Sequence, residues 1–302
     1  MTCQQTFDNF ILTKRLADLS GKTISNYEQF IAPFIDFLGT DRDFERVTQE
    51  DIVAYISAML TRPISKATRS TYIRHIKIFL RWAGSEYDVS YDAKKIKVPK
   101  SPKRQVRIYS DAEVSEIFQT ISCESPWLTC RNRLIIALMY DSGLRQNEIC
   151  TMKRAWISLD VRRLKVRGKG DKERTVPLGA TSARLLEKYF MLCPFDSDYL
   201  FVSRHGEPLT CDAVKHMVTK LANQLPFELS SHKLRHNFAT NFCTDNLRAC
   251  GSSNVYDLSI LMGHESIETT KKYEHFAHEL IAVEKSRSHL DGIDFNGSIF
   301  TY

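Results

Sequence analysis

His232 and Arg235 stand three residues apart in the stretch SSHKLRHNFAT, behind two serines, Ser230 and Ser231, either of which suits a helix N-cap. On such a helix the two share one face, while Leu234 and Phe238, four apart, bury the opposite one. Two cationic or proton-carrying groups are thereby aimed one way, which is the chemistry of holding an anion and moving a proton. A second stretch, LMGHESIETTKKYEH, adds His264 and Tyr273. Gly263 closes an apolar run from Leu258 to Met262, and Ser266 reads as the cap of another helix, on which Tyr273 directly follows two lysines. A tyrosine in that setting is expected outside the core.

Further upstream, Arg145 follows Gly143 and Leu144 at a helix entry. It reads equally as a surface arginine, with Glu148 three residues on as its ordinary helix partner. From Ala155 to Leu178 the period changes from helical to alternating. Arg163 to Arg167 and Arg174 to Leu178 read as strands, joined by the turn Gly168 to Asp171. Glycines on both sides of Lys169 let the backbone swing close to a ligand, although a lone lysine in a turn is as a rule simply solvated. Around these lie helical patterns: Ser110 opening one, Arg131 to Tyr140 as a buried apolar helix, Ala180 to Met191, and Thr210 to Leu225.

The first ninety-odd residues read as wholly helical. Thr23 to Leu38 carries Tyr27, Phe30, Ile31, Phe34, Ile35 and Leu38 at helical spacing, closed by Gly39; Thr48 to Leu60 opens near a capping box. Ser65 to Trp82 turns Tyr72, Ile76, Phe79 and Leu80 inward and Lys66, Arg69, Arg74, Lys77 and Arg81 outward. That basic face is either a solvated helix surface or a seat for an anion. From Ala93 to Arg107 the chain reads AKKIKVPKSPKRQVR, rich in lysine and arginine, with two prolines and no acid. It is expected to stay extended as a linker, and its Lys97, Lys100, Lys103 and Arg104 suit the tracking of phosphates.

A chain of 302 residues predicts two domains. The net charge of +6 allows a polyanionic partner without requiring one. Eight cysteines follow no metal-binding spacing and are too sparse for a disulfide scaffold, so they are expected to be reduced thiols. No apolar run approaches the roughly 18 residues of a membrane span, and the first residues carry no signal pattern. A soluble, cytoplasmic and nucleoid-associated protein with no membrane contact is the expectation.

The order His-x-x-Arg, Leu-Met-Gly-His and a tyrosine nine residues on, preceded by SGLRQNE at 142–148 and VRGKGDKERTVP at 166–177, resembles the tyrosine recombinases of the phage-integrase and Xer-like group. The resemblance covers roughly Tyr109 to His278. It implies a mainly α fold with a small antiparallel β-sheet, divided into a helical, SAM-like core-binding domain (1–95), a basic linker (96–108), an α+β catalytic domain (109–285) and a C-terminal tail (286–302) that docks on a neighbouring protomer. It further implies cleavage and rejoining of DNA strands through a 3′-phosphotyrosine on Tyr273. Arg145 and Arg235 would hold the phosphate, Lys169 would protonate the leaving 5′ oxygen, His232 would take or relay the tyrosine proton, His264 would hydrogen-bond the phosphate, and Glu148 would support the site. The implied partners are double-stranded DNA with paired recombination sites and further copies of the chain, as a tetramer on DNA, with room for accessory DNA-bending proteins. No metal and no cofactor are implied.

Three other readings compete. His232 and His236 are spaced like zinc ligands, but Lys233 stands where a zinc hydrolase places its glutamate. A non-catalytic DNA-binding regulator on this fold would have lost matched residues, and all are present. A nicking and resealing topoisomerase would share the chemistry without paired sites. The segment between Ala239 and Leu258 is longer than the compact Xer-like form, with Gly251 to Asn254 as the expected insertion.

Overall fold

In the computed structural model, residues 1–99, 107–168, 172–290 and 293 are described. The chain divides into two compact units, Met1–Arg104 and Gln105–Tyr302.

The first unit is helical throughout. Each helix starts on a hydroxyl: α1 (Cys3–Leu16) on Thr2, α2 (Gly21–Leu38) on Ser20, α3 (Gln49–Thr61) on Thr48 and α4 (Lys66–Glu86) on Ser65. Every one of those side chains accepts an otherwise orphaned backbone N–H of the first turn. The apolar stripes meet around Phe10, Ile31, Phe34, Tyr55, Ile76 and Phe79. Phe10 and Phe79 pack edge to face, centroids 5.4 Å apart, a geometry that the ring quadrupoles favour. Helix α1, with Cys3 and Phe10 fully buried, lies ahead of those that the apolar spacing picks out.

The linker expected from residue 96 begins later than its charge implies. Ile96 is only 3% exposed and belongs to the first unit's core, with Val98 packed against it. The Lys77 ammonium donates to the Ile96 carbonyl at 2.5 Å, holding that backbone in place. Apolar side chains in a basic stretch still bury where a core lies within reach. At the other end, Arg107 pairs with Glu113, and Tyr109 is buried in the second unit.

The second unit places α5 (Asp111–Thr120), α6 (Pro126–Asp141) and α7 (Gln146–Thr151) before a three-stranded antiparallel sheet in the order β1-β2-β3. Its strands are β1 (Ile157–Ser158), β2 (Arg163–Arg167) and β3 (Glu173–Pro177), with Leu164 opposite Val176 and Val166 opposite Arg174. Helices α8 (Ala180–Leu192), α9 (Cys211–Ala222), α10 (Ser231–Cys250), α11 (Val255–Met262) and α12 (Glu268–Lys285) follow. Helix α6 lies deep in the main core with Leu134 to Met139 buried, while α10, α11 and α12 close a second core around Phe238, Cys243, Leu258, Met262 and Tyr273. The fold is therefore mainly helical with a small antiparallel sheet.

The long segment after Ala239 extends α10 to Cys250, where Gly251 ends the helix in the left-handed conformation. Ser253 then bonds Glu274 of α12 at 2.5 Å, and Asn254 donates to Asn246 at 2.7 Å. The added residues are thus a docked helix end. Among the described residues no helix is long and apolar enough to cross a membrane.

Candidate active site

The site grows from two helix ends. Helix α11 stops at Gly263, whose φ of +60 suits a residue without a side chain. The last carbonyls of a helix lack intrahelical donors and carry the negative end of its dipole. Here three consecutive ones are each met by a guanidinium. Arg174 Nε donates to Leu261 at 2.7 Å, Arg235 Nη2 to Met262 at 2.5 Å, and Arg145 Nη2 to Gly263 at 3.1 Å. Arg235 also donates to the carbonyl of Gly143. Gly143 has φ +63 and the Phe238 ring 2.3 Å from where a Cβ would stand, so only glycine brings that carbonyl to Arg235.

The second end is the start of α7. Glu148, 3% exposed, accepts the Arg145 backbone N–H at 2.7 Å and Arg145 Nη1 at 2.9 Å. Arg174 grips the same carboxylate with Nη1 at 2.7 Å and Nη2 at 2.9 Å, and Arg235 Nη1 stands 4.0 Å away. Burial pushes the Glu148 carboxyl up, but Arg174 by hydrogen bond and charge, joined by Arg145, outweighs it and holds the group below its ordinary range, ionised. Arg235 is pushed the other way: burial and the charge of Arg145 disfavour its cation more than Glu148 favours it. A further anion arriving beside Arg145 and Arg235 would relieve that imbalance.

These groups border a cavity of about 430 Å³ lined by Arg145, His232, Arg235, His236, His264, Lys272 and Tyr273, among others. Five of the six predicted catalytic residues therefore line one space, with Glu148 bonded behind it. The sixth, Lys169, lies outside the described residues, as do Lys100, Lys103 and Arg104.

Two features differ from the sequence expectation. Tyr273 is core: it is 1% exposed and packs among Phe238, Cys243 and Met262, because its ring is the inward residue of α12 that its charged neighbours flank. Its hydroxyl meets His236 Nδ1 at 2.5 Å, one helical turn beyond His232. His232 is exposed on the cavity wall. Burial, then the charges of Lys272, His232 and Arg235, lower His236 to about 4, so its ring is neutral near pH 7, with Nδ1 sharing a hydrogen bond with the phenol. Burial raises the Tyr273 hydroxyl to about 12 despite the opposing Arg235 and Arg145 charges. His264 is likewise lowered to about 4, by burial and then by Arg235 and Arg145; its Nδ1 lies 2.7 Å from Thr270 Oγ1, and its ring runs nearly parallel to that of Tyr273 at 6.5 Å.

Sequence reasoning passed over Arg174, yet a signal existed. Arg174 shares the inward alternation of β3 with buried Val176, where a charged residue demands a partner. His236 carried a weaker signal, its spacing of four from His232 on one helix.

In the first unit, Lys66, Arg74, Arg81 and Lys97 are exposed. Arg69 and Lys77 instead turn to that unit's own carbonyls, Arg69 to Leu60 at 3.2 Å and Lys77 to Ile96.

The phage integrase family model matches residues 108–279, and the model of the phage integrase N-terminal SAM-like domain matches residues 6–83. Among characterised proteins, the tyrosine recombinase XerD of Listeria innocua is 26% identical over 284 residues, spanning 89% of this chain and 92% of that protein. The tyrosine recombinase XerC of Bacillus pumilus is 28% identical over 271 residues, spanning 85% and 86% respectively. Among solved structures, the Tn1549 transposon integrase with transposon right end DNA superposes with a TM-score of 0.74 at 17% identity, covering 95% of this chain and 100% of that one. A lambda integrase dimer bound to a core site gives 0.73 at 21% identity, covering 91% and 95%. At those identities the likeness to the structures is one of fold.

Proposed function

The chain belongs to the phage integrase family and is a site-specific tyrosine recombinase, and from that premise we propose that it cuts and rejoins DNA through a covalent bond between Tyr273 and a 3′ phosphate. The observation that carries this reading is the meeting of one phenol, two guanidiniums and three imidazoles on a single cavity. The phosphate enters beside Arg145 and Arg235, whose planar forks match its non-bridging oxygens. It adds a second anion beside buried Arg235, whose charge Glu148 at 4.0 Å offsets only in part. The Tyr273 oxygen attacks phosphorus, and its proton passes to a histidine of α10, to His236 which is hydrogen-bonded to it or to His232 on the wall. The bond from phosphorus to the 5′ oxygen breaks, and Lys169 gives that oxygen a proton. His264, fixed through Thr270, donates to a phosphate oxygen. The phosphotyrosine keeps the energy of the phosphodiester, so attack by a 5′ hydroxyl of a partner strand reverses the step without ATP or metal.

Such an exchange acts on double-stranded DNA with paired sites, gripped by exposed Lys66, Arg74, Arg81 and Lys97 of the first unit, and is completed by four copies of the chain. Site arrangement and accessory proteins then choose among integration, excision, inversion, resolution and transposition. Purified protein incubated with a nicked suicide substrate should yield a metal-independent adduct that maps to Tyr273. Tyr273→Phe should abolish it while DNA binding persists, and an adduct surviving in that variant would remove Tyr273 from its role.

A further inference from the structure

We propose that Arg174, to which the strand-exchange steps assign no part, is the positioning residue that keeps Arg145 and Arg235 available for phosphate by taking up the charge of Glu148 and fixing the end of α11. The inference rests on the recombinase reading above and deepens it.

The arginines divide their donors differently. Arg174 spends its whole fork inside the protein: Nη1 and Nη2 on the two oxygens of Glu148, Nε on the carbonyl of Leu261. Its side chain is 8% exposed and is absent from the described lining of the cavity. Arg145 spends one nitrogen on Glu148 and one on Gly263, its side chain is 38% exposed, and it lines the cavity. One carboxylate thus serves three cations, and its strongest pairing is with the guanidinium that faces away from substrate. Without Arg174, a buried carboxylate would hold one unfilled lone-pair set on each oxygen, with Arg145 at 2.9 Å and Arg235 at 4.0 Å as the remaining guanidiniums. Both would be drawn toward it and out of the cavity, because a buried charge without a partner costs more than a displaced side chain.

Geometry also ties the hairpin to the same carboxylate. A Cβ placed on Gly168 would stand 3.7 Å from Arg174 Nη1 and 3.9 Å from Glu148 Oε1, and one on Gly263 would stand 3.2 Å from the Arg174 guanidinium. Gly168 just after β2, the start of β3 and the end of α11 therefore close on one ion pair. Arg174 lies five residues after Lys169 in the chain, so the strand that follows the proposed proton donor is pinned to the acid behind the phosphate cradle.

The test uses the full chain and the nicked suicide substrate, reading the adduct rate at saturating DNA, DNA affinity and melting temperature for wild type, Arg174→Met, Arg174→Lys and each combined with Glu148→Gln. Arg174→Met should slow adduct formation between roughly ten- and a hundredfold, the scale of a misplaced catalytic group, while DNA affinity stays within about threefold, phosphate contacts elsewhere supplying most of it. Arg174→Lys, a point charge without a fork, should recover part of the rate. Glu148→Gln should restore rate in the Arg174→Met background, since a neutral amide no longer draws Arg145 inward. Multiplied losses in the double variant, or a rate loss that merely follows melting temperature, would overturn the proposal. Should Arg174→Met not fold, the same comparison is read between Arg174→Lys and its Glu148→Gln double, where an unrelieved loss overturns it. A wild-type chain that forms no adduct overturns the recombinase reading and this inference with it, whereas a wild-type adduct with an unslowed Arg174→Met overturns this inference alone.

Discussion

In the first unit the buried polar side chains among the described residues are Thr6 and Ser70, and the Thr6 hydroxyl returns to its own helix at the Thr2 carbonyl. Around them pack Phe10, Phe34, Phe44 and Phe79, while the unit's arginines and lysines lie at or near the surface. In the second unit Glu148, Arg235, Asn237, Thr240 and Thr270 are buried, and the Arg174 side chain nearly so. A chain that only grips a polyanion can leave its charge in water, where each group costs little. A chain that must hold one phosphate while a bond breaks has to place its cations against fixed partners in a dry site, where desolvation is expensive and geometry is strict. The contrast is the one expected if, as proposed above, the first unit grips DNA and the second reacts with it.

Three experiments would break or sharpen that contrast, the largest effect first. Glu148→Ala removes the anion shared by three guanidiniums and should destabilise the second unit by about 3–5 kcal/mol in denaturant unfolding. The first unit's half-exposed Arg42–Asp51 pair, 2.6 Å apart, should lose no more than about 1 kcal/mol on Asp51→Ala. Equal losses would erase the distinction.

Acidification comes next. His236 and His264 are both lowered to about 4 in the folded chain, against an ordinary value near 6.5. The unfolded chain therefore binds more protons between those values. Stability from the two neutral imidazoles is present above about pH 6.5 and drains away as pH falls toward 4, by a few kcal/mol in total once the roughly 3 kcal/mol that each shift would give is discounted for solvent screening of these half-buried rings. The Asp51 carboxyl, held low by its hydrogen bond from Arg42, gives the first unit a loss only at lower pH. Melting curves from pH 7 to 4 should show the second unit weakening first, and His236→Asn with His264→Asn should flatten that response.

The smallest stability effects belong to the basic face of α4. Arg74→Ala and Arg81→Ala should change unfolding free energy by less than about 0.5 kcal/mol. Each that contacts DNA should lower the salt slope of binding by about 1. Lys77→Ala, which deprives the Ile96 carbonyl of its donor, should instead cost about 1 kcal/mol, marking it as a staple of the unit more than a contact to DNA.

Much of this molecule was determined by sequence alone, because the relevant physics is local. A hydroxyl before an apolar stripe starts a helix, as at Thr48 and Ser65; alternation around Gly168 makes a hairpin; Ser230 does cap the helix that carries His232 and Arg235. Those signals place the helices and their ends, while the resemblance carried by the order of the motifs grouped Arg145, His232, Arg235, His264 and Tyr273, which line one cavity. Tertiary structure alone decided how the site is wired. The Tyr273 hydroxyl and His236 are 37 residues apart, Arg174 and Glu148 are 26, and Arg145 and the Gly263 carbonyl are 118. No local propensity encodes such pairs. They follow from the cost of leaving a charge or hydroxyl unpaired once the packing of α7, β3, α10, α11 and α12 carries it inside, a condition that exists only once those elements have met; the buried Thr240 hydroxyl of α10, which finds no partner, is an exception.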